Sequence, residues 1–222
     1  MKRFFSMAAL LLLSFSLSAQ YAPSTSWPYI YDNFTKGTLK MPVGHEKEGE
    51  FNVQLISGTL HYIDGNMIME ASPADVFSVR IGSDYYVNAG GRLMKVLAKN
   101  DNGFVAKSFE VDMAALNSTG GAYGSSSTTL GTMALSSLEG IGGGRTNMNH
   151  MELKANKENG KTLPVLEKMY LVAGGTVIFA TRKDVAEYVG EDAMKAFLKA
   201  SKVKWNNPQS LLPVLDLIAN KQ

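Results

Sequence analysis

Phe51, Val53 and Leu55 alternate with Glu50, Asn52 and Gln54, which is the period of a strand with one buried face. Ser57-Gly58 interrupts the pattern, residues 59–63 resume it, and Asp64-Gly65-Asn66 turns that strand into 67–71. Gly and Asn accept the backbone angles that tight hairpin turns require. The same punctuation recurs downstream. Ser72-Pro73 precedes a strand over 76–81, Gly82-Ser83-Asp84 one over 85–89, and Gly90-Gly91 one over 92–98. Asn100-Asp101-Asn102-Gly103 then turns the chain into 104–113. Loops this short join antiparallel neighbours, so the pattern predicts a β-meander.

Residues 117–146 break the rhythm. They are rich in Gly, Ser and Thr, nearly uncharged, and offer little burial against the entropy of ordering. A long loop is expected there, as an excursion or as a site of binding. Strand patterning returns over 163–172 and 176–181, joined at Ala173-Gly174-Gly175. The period then changes. Val185, Tyr188 and Val189 recur at helical spacing behind a Thr181–Asp184 capping pair, and Met194, Phe197 and Leu198 repeat it. Asn207-Pro208 opens a last helix carrying Leu211, Leu212, Leu215 and Ile218, with Pro213 as an expected weak point. The fold class expected is α+β: an antiparallel β-meander body of about eight or nine strands with C-terminal helices.

The N-terminus reads differently from either class. Lys2 and Arg3 precede an apolar run from Phe4 to Leu17, and Leu17-Ser18-Ala19 closes it with small residues. That is the layout of a cleaved export signal over 1–19, too short for the roughly 18 to 20 apolar residues of a bilayer span. The expected organisation is therefore 1–19 signal peptide, 20–181 β-rich domain containing the 117–146 loop, and 182–222 helical element. Cleavage would also remove two cations from 22 basic and 20 acidic residues, leaving 20 against 20. An apparently basic chain becomes neutral, which argues against a nucleic-acid partner. Lys195, Lys199, Lys202 and Lys204, beside Glu191 and Asp192, read as a solvated face. No later apolar run reaches spanning length, so no transmembrane segment is expected after cleavage. An outer-membrane barrel is disfavoured because the strands fall short of the roughly 9 to 11 residues that cross a membrane.

The chain has no cysteine, which removes disulfides, thiol nucleophiles, cysteine-ligated zinc and a lipidated cysteine from consideration. Of the three histidines, His61 alternates with Thr59 and Ile63 and reads as a hydrogen-bonded strand residue, and His45 as part of an exposed turn. His150 and Glu152 share a face if that stretch is a strand, a single pair where a metal site wants more ligands. Around Asn100 and Asn102 a calcium loop fails, with Ala98 and Phe109 at the positions that need carboxylates. Gly142-Gly143-Gly144-Arg145 could form an anion-binding nest but lacks a following Gly-Lys-Ser/Thr. Ser201 and Lys204 satisfy Ser-x-x-Lys without the companion motifs of penicillin-binding enzymes. No pattern calls for a cofactor or a metal, and an enzyme is the less favoured reading.

Tyr21, Trp27, Tyr29, Tyr31 and Phe34 cluster at the start of the mature chain. Buried, they begin the sheet; exposed, they offer stacking surfaces for sugars or anchors for a partner. The segment from Trp27 to Thr38, residues 58–63, the strand from Asp75 to Gly82, Thr181 to Asp184 and Lys204 to Pro208 together resemble exported proteins of Bacteroidota of uncharacterised function. The likeness covers nearly all of the mature chain and implies a bacterial cell-envelope setting, periplasmic or extracellular. It implies no activity. The function expected is non-catalytic binding or scaffolding through contacts with envelope proteins. The alternative is glycan or small-ligand binding through the N-terminal aromatics, and an envelope hydrolase ranks third. Candidate ligand-binding residues are Trp27, Tyr29, Tyr31, Arg145, His150 and Glu152.

Overall fold

A computed structural model describes residues 25–26, 28–112, 148–149 and 162–221. An antiparallel sheet dominates it. In chain order the strands are β1 (Thr25–Ser26), β2 (Thr35–Lys40), β3 (Glu46–Val53), β4 (Leu60–Asp64), β5 (Met67–Glu70), β6 (Ser78–Ile81), β7 (Asp84–Ala89), β8 (Arg92–Asn100), β9 (Gly103–Val111), β10 (Met148–Asn149), β11 (Thr162–Leu163), β12 (Val165–Ala173) and β13 (Thr176–Phe179). Eleven of them form one sheet in the order β10-β5-β4-β3-β2-β6-β7-β8-β9-β12-β13, curled into a half-barrel, and β1 pairs with β11 apart from it. Helices α1 (Arg182–Val189), α2 (Glu191–Ala200) and α3 (Leu212–Ala219) close the chain.

The expected α+β meander is present with two departures and more strands than eight or nine. After β9 the chain reaches β10, which pairs with β5 at the far edge, before β12 returns to β9. The other departure lies between β5 and β6. After running outward from β2 through β3 and β4 to β5, the chain crosses back to pair β6 with the free side of β2. The additional strands are β2 and the two-residue β1, β10 and β11; Thr35–Lys40 and the unexpected first half of β3, Glu46–Glu50, contain a single large apolar residue, Leu39. Gly37 lets β2 and β6 lie close, since a Cβ there would stand 2.0 Å from the Arg80 carbonyl oxygen. Between β2 and β3 the chain turns through Met41–His45, where Val43 has φ 68°, an uncommon value for a β-branched residue. His45 is exposed in that turn, while Glu46 and Lys47 already belong to β3.

Side-chain alternation then sorts the core. Leu39, Phe51, Val53, Leu60, Val79, Ile81, Tyr86 and Leu93 form one buried cluster on the sheet. A second joins Ala98, Val105, Leu171, Ala173 and Ile178 to Val185 and Ala186 of α1, Met194 of α2, and Val214, Leu215 and Ile218 of α3. Fully burying an aliphatic side chain is worth about 1.5–3 kcal/mol, so this cluster holds the helices on the sheet.

Local signals explain the helix ends. Thr181 caps α1 by accepting from the Asp184 amide at 3.2 Å, and its hydroxyl also bonds the Asp184 carboxylate. Gly190, at φ 97°, ends α1 and starts α2. Asn207 accepts from the Gln209 and Ser210 amides at the head of a 3-10 turn, Pro208–Leu211. Pro213 weakens nothing: that turn gives way to α3 just before it, so the proline falls in the first turn, whose amides lack intrahelical acceptors anyway.

Candidate functional site

Of the expected site residues, Trp27, Arg145, His150 and Glu152 lie outside the described residues, as does the 117–146 loop. Tyr29 and Tyr31 are described. Tyr29 is 2% exposed. Its hydroxyl lies 2.9 Å from His61 Nδ1, and its ring meets His61 and Phe34 edge-on. Instead of starting a strand, Tyr29 makes an isolated bridge with Gln54. His61, 3% exposed, is thus a hydrogen-bonded strand histidine, and burial pushes its pKa down to about 4.

Tyr31 is half-buried and pins the N-terminal segment across the sheet. Its hydroxyl donates to Asp84 Oδ2 at 2.6 Å and lies 2.6 Å from the Tyr86 hydroxyl, while Lys95 Nζ reaches Asp84 Oδ1 at 2.7 Å. Buried Asn52 grips the same segment, accepting from the Tyr31 amide at 3.1 Å and donating to the Tyr31 carbonyl at 2.8 Å. Burial disfavours the ionised Asp84, but hydrogen bonds from Lys95 and Tyr31 and the lysine charge outweigh it and hold the carboxyl below its usual range. Burial first, and then the Asp84 bond, raises Tyr31; burial also raises Tyr86. Phenols shifted this way stay neutral near pH 7 and make poor bases. The cluster is a clamp.

Other expected chemistry resolves into structure. Asn100 and Asn102 both donate to Asp216 Oδ1, at 2.7 and 2.8 Å, tying the β8–β9 hairpin to α3. Ser201 caps the end of α2 in extended backbone, so Ser201 and Lys204 are not one helical turn apart. Lys195, Lys199, Lys202 and Lys204 are exposed. Among the described residues, no group of three or more His, Asp or Glu could hold a metal ion, and no helix is long and apolar enough to cross a membrane.

Sequence reasoning missed a groove of about 610 Å³ on the sheet face opposite Leu39, Val79 and Ile81. Thr38 and Lys40 of β2, Ser78 and Arg80 of β6, and Tyr85 of β7 line it, with Glu46 at one end and residues 96–99 of β8 along its side. Register brings them together. Thr38 pairs with Arg80, Arg80 with Tyr85, and Lys40 with Ser78 and Glu46 on its two sides. A bulge between Val96 and Ala98 bends β8 beside the groove, and bulges commonly re-aim side chains this way.

The groove is cationic. Lys40, Arg80 and Lys99 face one carboxylate, Glu46, and among the described residues none of the three lies within ion-pair distance of a carboxylate. The Arg80 guanidinium sits 5.7 Å from the centre of the Tyr85 ring, a cation–π arrangement that orders a side chain otherwise free in solvent. The arrangement can attract and hydrogen-bond an anion and stack a ring beside it. No signal of local spacing could have revealed it, because its residues come from separate strands and meet only through register. Comparison with protein-family models, with curated proteins and with solved structures gives no match.

Proposed function

We propose that this chain is an exported, non-catalytic binding protein of the bacterial cell envelope, and that it holds a negatively charged envelope component in the groove beside the β8 bulge. One observation carries the reading: Lys40, Arg80 and Lys99 line an open groove around Tyr85 without partner carboxylates among the described residues. Charge of one sign gathered in a concavity focuses field and favours ligands of the opposite sign. The layout of residues 1–19 supports export, and in a mature chain of balanced charge the groove is a local concentration of cations.

Titration calorimetry with polygalacturonate, using neutral dextran as control, tests this. The acidic polymer is expected to bind, to weaken steeply between 20 and 200 mM salt by on the order of tenfold as the charges are screened, and to lose binding in the Arg80→Ala/Lys99→Ala double variant. Equal binding of dextran, or an unchanged affinity in the double variant, overturns the proposal.

A further inference from the structure

The groove opens onto a longer feature of the same sheet face. Register carries a single row of side chains across six strands. Arg80 pairs with Tyr85; Tyr86 pairs with Lys95, which sets Tyr85 beside Val96; Val96 pairs with Ala106, Ala106 with Tyr170, and Tyr170 with Phe179. At neighbouring-strand spacings of about 4.8 Å, five steps from β6 to β13 span about 24 Å. Tyr170 and Phe179 stack with ring centroids 4.6 Å apart, and Phe179 is 43% exposed. Ala106, Met94 and Ala89 form a buried cluster against which Tyr170 packs, Ala106 being 0% exposed. A cation and an aromatic ring thus stand at one end of the row, small or aliphatic side chains in the middle, and an aromatic stack at the other.

We propose that this row is a binding track for an acidic polysaccharide, whose carboxylates meet Arg80 and Lys99 in the groove while sugar rings further along rest on Tyr85 and on the Tyr170–Phe179 stack. The proposal rests on the groove reading and deepens it by naming the ligand class and the direction in which the chain lies. An aromatic face accepts the C–H face of a pyranose while its rim stays wet, and aromatic side chains supply contact area at low entropic cost. A lone small anion would occupy the cationic end and gain nothing from rings about 14 Å away, three strand steps from Tyr85. A chain of several linked acidic sugars reaches both ends, and linked contacts add through effective concentration.

Calorimetry with galacturonate oligomers of two and eight residues on the full mature protein decides the matter. The octamer is expected to bind at least tenfold more tightly than the dimer. Phe179→Ala should remove most of that advantage, leave dimer affinity unchanged, and be rescued by Phe179→Trp, with each variant shown to be folded by circular dichroism. Equal affinity of dimer and octamer, or an octamer advantage unaffected by Phe179→Ala, overturns the track while the groove still binds. Failure of both oligomers overturns the groove reading itself. Binding to vesicles containing anionic phospholipid, but to neither oligomer, assigns the cations to a membrane surface and likewise overturns the proposal.

Discussion

Acidifying the protein should destabilise it through His61 by an amount that the structure sets. The imidazole is 3% exposed, hydrogen-bonded to the Tyr29 hydroxyl, and has its pKa lowered by burial from 6.5 to about 4. Between those two values the unfolded chain binds a proton that the folded chain refuses, so stability falls as pH falls through this window and the contribution is fully present above pH 6.5. That lowering corresponds to roughly 3 kcal/mol in full, most of which is lost by pH 4.5. Asp84 and Glu110, both held below the usual carboxylate range, lose stability on the acid side as well. The informative measurement is therefore a difference. Urea unfolding followed by circular dichroism, at pH 7.5 and pH 4.5, is compared for the native chain and His61→Gln, which retains an acceptor for Tyr29 but does not titrate. The native protein should lose roughly 2–3 kcal/mol more than the variant over that interval. Equal losses in the two proteins would refute the reasoning, and so would an NMR titration placing the His61 imidazole near its ordinary pKa.

Two further substitutions probe how the sheet and the helices are held. Gly37→Ala drives a Cβ to 2.0 Å from the Arg80 carbonyl oxygen, so β2 and β6 must separate at a cost of about 1–3 kcal/mol, as overpacking does. Arg80 lines the groove, so anion affinity should fall with stability; an unchanged denaturation midpoint would show that the two strands can part freely. Asn207→Ala removes the acceptor of the Gln209 and Ser210 amides and should cost about 1 kcal/mol in thermal unfolding. Asn207→Asp keeps that acceptor, and a loss as large as that of alanine would contradict the capping role.

Strands with an apolar face, such as the one through Phe51 and Val53, were legible because a buried face and a wet face leave alternation in the chain. Hairpins at Asp64-Gly65-Asn66 and the Thr181 and Asn207 caps were legible because the residues that satisfy those backbone geometries are few. Thr35–Lys40 was not, because a strand held by neighbours on both sides needs little apolar surface of its own: Leu39 points into the core, and backbone pairing with β3 and β6 does the rest. Pro213 misled for a related reason, since proline disturbs a helix interior but not its first turn. The groove was illegible in a stricter sense. Thr38, Arg80, Tyr85 and Val96 are neighbours only once β2, β6, β7 and β8 lie in register, and no window along the chain contains them together. Tyr29 and Tyr31 stand out in the sequence as members of an aromatic cluster, yet their hydroxyls are what the fold uses, against His61, Asp84 and Tyr86.

The return of the chain from β5 to β6 also sets an order of assembly. Gly37 of β2 pairs with Gly49 on one side and with Ile81 on the other, the first contact local and the second bridged by all of β3, β4 and β5. Loop closure delays the distant pairing, so the four-strand unit β2–β5 can form while one edge of β2 still lacks its partner. An unpaired strand edge invites association with other chains. This one carries Lys36 and Lys40 around a lone Leu39, and charges so placed discourage edge-to-edge pairing. The polarity that hid β2 from a pattern search thus guards a chain emerging N-terminus first against self-association before β6 arrives.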